Sequence, residues 1–97
     1  MRFEWDESKN RANVRKHGLD CADAEEMFRG FVLVRPDTDL DYDEERWLGI
    51  GLIRGRVAFA AFVERPPDTI RIISLRKAIH EERKQYEKAL QDGLEAN

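Results

Sequence analysis

Seven consecutive residues, Val57-Ala58-Phe59-Ala60-Ala61-Phe62-Val63, carry no charged side chain. A strand offering apolar side chains to both faces needs cover on both, so Arg56 to Arg65 is expected as a central strand buried on two sides. The preceding segment, Arg46 to Ile53, alternates instead. Arg46, Leu48, Ile50 and Leu52 fall on one face and Trp47, Gly49, Gly51 and Ile53 on the other. Arg54-Gly55 between them predicts a tight hairpin turn. The two glycines leave a shallow place where something can lie against the backbone. After the break at Pro66-Pro67-Asp68, Thr69 to Leu75 is expected as the last strand. Arg2 to Trp5 and Phe31 to Arg35, the latter stopped by Pro36, add two short ones.

Three helices complete the expected set. Asp6 to His17 has a cap at Asp6, an acidic first turn at Glu7 and a stop at Gly18. A second helix starts behind Asp20, with Cys21, Ala24, Met27 and Phe28 repeating at helical spacing as core. The third, Arg76 to about Gln91, has an interrupted stripe. Ile79, Tyr86 and Leu90 are in phase, but the position between them offers only Glu82 or Arg83. Either these charges lie at the edge of the interface in an ion pair, or they line a cleft beside Tyr86. The elements describe an α+β chain in one domain, residues 1–97.

The chain has a net charge of −3, with 38% charged and 41% hydrophobic residues. No apolar run approaches the ~18 to 20 residues that span a bilayer. The first residues lack the apolar core of a signal peptide, and Cys21 has no internal disulfide partner, so a cytosolic protein is expected. Charge is unevenly spread. Residues 37–45 hold Asp37, Asp39, Asp41, Asp43, Glu44 and Glu45 with no basic residue, whereas residues 46–88 hold ten basic against five acidic ones. The acidic run is a solvated loop or a surface that rejects or contacts a charged partner.

Lys9, Asn13, Lys16 and His17 fall at i, i+4, i+7 and i+8, one polar stripe along the first helix. Two ammonium groups, an amide and an imidazole suit phosphate binding and proton transfer near neutral pH. A solvated helix face, with His17 serving the helix end, is the plainer reading. Arg46, Arg71 and Arg76 are candidate phosphate clamps, since guanidinium stays charged and grips oxygen pairs. Arg71 alternates with Ile70 and Ile72 and, by strict alternation, shares a face with Ile73 and Leu75, so it must reach an ion pair or a cleft. Glu82 is a candidate base if partly buried, and Tyr86 can donate to a phosphate while stacking on a base. His17 and Cys21 do not make a zinc site, because Gly18 breaks the helix between them and no second His/Cys pair exists. No P-loop, dinucleotide fingerprint or serine-nucleophile motif is present, and no cofactor or metal is expected.

Trp5-Asp6, Lys9, Asn13 and Lys16-His17-Gly18, followed by Ile72-Ile73-Ser74-Leu75-Arg76-Lys77-Ala78 with Glu82-Arg83 and Tyr86, resemble the BrnT-type toxins of bacterial type II toxin–antitoxin systems. The resemblance runs from about Arg2 to Leu90. It implies a RelE-like architecture: a small antiparallel sheet, two N-terminal helices and a C-terminal helix. It also implies metal-independent RNA cleavage that inhibits translation, and a BrnA-type antitoxin with a ribbon-helix-helix DNA-binding domain. That partner would assemble in a 2:2 complex and carry the toxin to operator DNA. On this reading His17, Arg46, Arg71, Arg76, Glu82 and Tyr86 are the catalytic candidates, and Lys9, Asn13 and Lys16 the substrate-binding ones. The alternative is a non-catalytic module that acts as co-repressor by holding an antitoxin on DNA. Such toxins are commonly basic, so the mild acidity of this chain and its acidic loop are departures.

Overall fold

The computed structural model describes residues 1–38 and 44–95. Within them lie five strands, β1 (Arg2–Glu4), β2 (Leu33–Pro36), β3 (Trp47–Ile53), β4 (Arg56–Arg65) and β5 (Thr69–Lys77). Three helices, α1 (Glu7–His17), α2 (Ala24–Arg29) and α3 (His80–Glu95), and a 3-10 turn at Cys21–Asp23 complete them. The strands form one sheet in the order β1-β5-β4-β3-β2, antiparallel except that β1 runs parallel to β5.

The apolar run is the central strand, as its pattern requires. Ala58, Ala60 and Phe62 belong to a core that α2 and the 3-10 turn cover with Cys21, Ala24 and Met27. Phe59 turns to the opposite face, against Ile50 of β3 and Tyr86 of α3. The shallow place above Gly49 and Gly51 is filled from within the chain. A Cβ on Gly51 would come 2.7 Å from Met27 Cγ, and one on Gly49 would meet Val32, Phe62 and Met27 at 3.1–3.3 Å. The glycines therefore let α2 approach the sheet and do not receive a ligand.

The α1 boundaries follow the capping chemistry. Asp6 accepts from the Lys9 N–H at 3.0 Å, and Gly18, at φ 68°, donates its N–H to the Val14 carbonyl at 2.9 Å. At the β3–β4 turn Arg54 and Gly55 both take positive φ, as a two-residue mirror-image turn needs. The Arg54 N–H donates to Glu26 at 2.7 Å and its guanidinium pairs with Asp23, tying the hairpin to α2.

Several boundaries differ from the sequence reading. Asp20 caps the 3-10 turn, accepting from the Ala22 N–H at 3.0 Å, and the α-helix proper starts at Ala24. β2 starts at Leu33 and takes in Pro36, tolerated at its end because β2 is an edge strand. β5 continues through Lys77, since Ala58 and Phe59 still pair with Lys77 and Arg76, so α3 begins four residues later than expected. Ile79 precedes the helix and is 57% exposed, outside the apolar stripe. The centre of the acidic loop, including Asp39, Asp41 and Asp43, lies outside the described residues.

One irregularity decides which side chains share a face. Phe62 pairs with Ile72 but Ala61 with Ser74, so Ile73 is an extra residue bulged out of β5. The bulge shifts the phase. Arg71 comes into register with Ser74 and Arg76, and Leu75 turns into the opposite core with Ile70 and Ile72. The expectation that Arg71 shares a face with Ile73 and Leu75 is thereby corrected.

Candidate functional site

On the α3 side of the sheet, pairing arranges side chains in rows across the strands. Arg76, Phe59, Ile50 and Leu33 form one row, roofed by α3 through Glu82 and Tyr86. Ser74, Ala61, Leu48 and Arg35 form the next. Glu4, Arg71 and Val63 form a third, with Arg46 one residue before β3 and in phase with Leu48. The middle row is low and open: Ser74 is exposed, and Ala61 and Leu48 are half-buried. The outcome is a trough crossing the sheet, with Arg76 on one bank, Arg71 and Arg46 on the other, and Arg35 at the β2 end. By strand rise the two banks are roughly 13 Å apart at the backbone, within inward reach of long guanidinium side chains.

Arg76 is the most tightly held of these groups. Its Nη1 and Nη2 donate to the two carboxylate oxygens of Glu82, both at 2.8 Å, Nη1 also reaches the Lys77 carbonyl at 3.2 Å, and its Cζ lies 4.1 Å from the centre of the Phe59 ring. Glu82 is 7% exposed. It also accepts from the Ile79 N–H at 2.9 Å, capping the start of α3 in the manner of a capping-box glutamate. Burial alone would push its carboxyl up. The hydrogen bonds from Arg76 and the Ile79 N–H, with the charges of Arg76 and Arg35, outweigh that and hold it below the usual carboxylate value. The charge that interrupts the α3 stripe is thus a carboxylate folded inward onto an arginine. Arg83 is exposed and donates to the Ala78 carbonyl at 3.1 Å. Tyr86 is buried, with its ring 5.6 Å from that of Phe31 and its hydroxyl 3.4 Å from the Phe31 carbonyl, so it is a roof residue more than a solvent-facing donor.

Arg71 has looser company. Its Nη1 lies 3.7 Å from Glu4, which Arg65 also approaches at 3.4 Å, and Arg65 in turn reaches Glu44 at 3.3 Å. These are half-exposed pairs that hold orientation more than they stabilise.

The α1 stripe is only partly brought to this place. Lys9 and Asn13, with Trp5, Asp6 and Asn10, line a cleft of about 220 Å³ along the edge of β5 that β1 leaves free, opposite Ile72, Ile73, Ser74 and Leu75. Ser74 lines both the cleft and the trough. Asp6 is held below its usual value by the Lys9 N–H and, more weakly, by the charges of Lys9 and Arg71. The register of Glu4 with Arg71 places the start of α1 beside that arginine. His17 stands eleven residues further on, roughly 16 Å along the helix axis, and shares no described cleft with the arginines. Lys16 is exposed, and the Asn13 amide donates to the Leu19 carbonyl at 3.0 Å.

Sequence reading missed Arg35 and Ser74 at the trough and Asn10 in the α1 cleft. Asn10 is 5% exposed, donates to Asp20 at 2.8 Å and accepts from the Cys21 N–H at 2.9 Å, which fastens α1 to the core layer. Cys21 is buried and its thiol is pushed up to about 11 by that burial, aided by Asp20 and Glu7, so it is inert. Among the described residues no group of three or more His, Cys, Asp or Glu is placed to hold a metal ion, and no helix is long and apolar enough to cross a membrane.

Comparison with known proteins gives a family match and a structural one. The family model for the ribonuclease toxin BrnT of type II toxin–antitoxin systems matches residues 5–82. The crystal structure of the Brucella abortus ribonuclease toxin BrnT is similar at 32% sequence identity with a TM-score of 0.66, covering 82% of this chain and 99% of that one. No curated protein matches.

Proposed function

The chain belongs to the BrnT family of ribonuclease toxins of type II toxin–antitoxin systems, and from that premise we propose that it is an endoribonuclease whose substrate lies in the arginine trough. Residues 1–97 act as a single toxin domain in the cytosol. Cleavage of an RNA phosphodiester needs a base for the 2′-hydroxyl, an acid for the leaving oxygen and cations for the extra negative charge of the phosphorane. The observation that carries the reading is the row geometry. Arg46, Arg71 and Arg76 flank the row of Ser74, Ala61 and Leu48 where a backbone phosphate can approach, and Arg35 extends the cationic track.

Guanidinium groups supply the charge stabilisation that a metal ion supplies elsewhere, so the reaction is expected to proceed without one. Lys9 and Asn13 line the cleft that Ser74 shares with the trough. A strand leaving the trough there would continue along α1 toward Lys16 and His17, and only such a path brings the imidazole into proton transfer. Tyr86 supports the site from the roof.

The silencing partner is a BrnA-type antitoxin with a ribbon-helix-helix domain. It covers the trough with carboxylates against Arg46, Arg71 or Arg76, buries ~1,200 Å² or more, and dimerises to give a 2:2 assembly that binds operator DNA through the antitoxin. The decisive experiment is cleavage of RNA by the purified protein in the presence of a chelator, compared with Arg71→Ala and with the antitoxin-bound complex. Activity lost in the variant and in the complex supports the reading. An inactive protein that still tightens antitoxin binding to operator DNA would replace it with the co-repressor role, and light scattering on the co-expressed pair tests the stoichiometry.

A further inference from the structure

We propose that Glu82 is a positioning residue that presents one edge of the Arg76 guanidinium to a phosphate group in the trough; this rests on the ribonuclease reading above. A guanidinium has five N–H bonds. Both Nη1 hydrogens are engaged, by Glu82 Oε1 and the Lys77 carbonyl, and one Nη2 hydrogen is engaged by Glu82 Oε2. The two that remain, on Nε and on the near side of Nη2, lie parallel along one edge, the fork that matches two oxygens of a phosphate.

That edge is turned toward the trough. Nη1 reaches back to Lys77, the neighbour on the far side from Ser74, so the opposite flank faces Ser74 and Ala61. Phe59 closes one face of the guanidinium plane and Glu82 its tip, which leaves the group little freedom to turn. Glu82 is held in turn by the Ile79 N–H and by its own burial, at 7% exposed. With both oxygens committed, the carboxylate is poorly suited to taking a proton from a 2′-hydroxyl. It aims the cation, and fixed aim is what makes a charge effective in a transition state.

The test compares wild type, Glu82→Gln, Glu82→Asp, Arg76→Ala and the Arg76→Ala/Glu82→Gln pair in cleavage of a defined RNA oligonucleotide, with Tm measured for each. Both Glu82 variants break the two-point hold, the first by losing one acceptor and the second by losing reach. Each should lower kcat by ~10-fold or more while KM changes less than ~3-fold. In the Arg76→Ala background the Gln change should cost nothing further, because there is no guanidinium left to aim. Independent multiplication of the two effects, unchanged kcat in both variants, or loss of one limb of the pH–rate profile in Glu82→Gln alone would overturn the proposal. The last outcome would make Glu82 a general base.

A second measurement does not depend on activity. The Arg76 Nε–H resonance of the wild-type protein should shift on titration with a non-cleavable 2′-O-methyl oligonucleotide, and the shift should be lost in Glu82→Gln. No shift in the wild type also overturns the proposal. A protein that cleaves no RNA yet shows the shift would sink the ribonuclease reading and leave the aimed anion site standing.

Discussion

Replacing Arg76 with Ala should destabilise the fold by about 2 to 3 kcal/mol, and the way this loss depends on pH identifies its origin. Both Glu82 oxygens are held by Arg76 at 2.8 Å, and Glu82 is 7% exposed. Removing one partner of a fully buried pair costs about 3 to 5 kcal/mol, because the surviving charge is stranded. Here the Arg76 side chain is 36% exposed, so water follows the deleted group and the stranding term falls to about 2 kcal/mol. Lost cation–π contact with Phe59 adds about 0.5 to 1 kcal/mol. For a chain of this length that is a fall in Tm of about 10 to 20 °C at pH 7.

In the wild type the Glu82 pKa is depressed below its ordinary 4.5. It therefore contributes stability above that value, lost as pH falls through the folded-state pKa. In Arg76→Ala the burial remains without the guanidinium and the pKa rises, leaving a penalty at neutral pH that protonation relieves as pH falls. The Tm gap between the two proteins, measured by calorimetry, should thus narrow from pH 7 toward 4.5 as the variant's carboxyl takes up its proton, and further below 4.5 as the wild type loses its contribution. At pH 7 Arg76→Ala/Glu82→Gln should melt higher than Arg76→Ala, since its buried side chain is neutral. A gap that is constant with pH, or a double variant no more stable than the single one, would refute the stranded-charge argument.

Arg71→Ala should abolish toxicity on induced expression with Tm within a few degrees of wild type, and Arg71→Lys should not fully restore it, because an ammonium lacks the two-point fork; growth arrest by both variants would move the site elsewhere. His17→Ala should reduce cleavage by ~10²-fold if RNA passes from the trough past Ser74 onto α1, whereas full activity would confine the chemistry to the trough. Gly51→Ala should cost about 1 to 3 kcal/mol by driving a methyl into Met27, and Met27→Ala in the same chain should recover part of that by chemical denaturation. Cys21 should resist iodoacetamide at pH 8 until denaturant is added, given a thiol pushed up to about 11; rapid native alkylation by mass spectrometry would contradict its burial.

Local chemistry was readable from the chain alone. Asp6 and Gly18 bound α1 because a free N–H needs an acceptor and a left-handed residue needs no Cβ, and both demands are met within one turn. The apolar run of β4 required cover on two faces, and the alternation of β3 put Leu48 and Ile50 on one of them. Resemblance of the two motif blocks carried the family, which no periodicity could. The interrupted α3 stripe marked Glu82 or Arg83 as unusual, and the structure shows that Glu82 is the one turned inward.

What tertiary structure alone decided is which of these residues meet. Strict alternation from Arg71 gives the wrong face for Leu75, because the extra residue at Ile73 arises from pairing with β4 and leaves no mark in β5 itself. Arg76 extends a strand instead of opening a helix, since a ladder with Ala58 and Phe59 is available to it. Asn10, a polar residue on a polar helix, becomes a buried clamp only when Cys21 folds against it. His17 lies at the far end of α1 from Arg71, a distance set by helix rise once β1 pairs Glu4 with Arg71 and α1 follows. Capping, turns and burial demand act over a few residues and are written in them; register and docking are settled between segments far apart in the chain, and no short stretch contains that information.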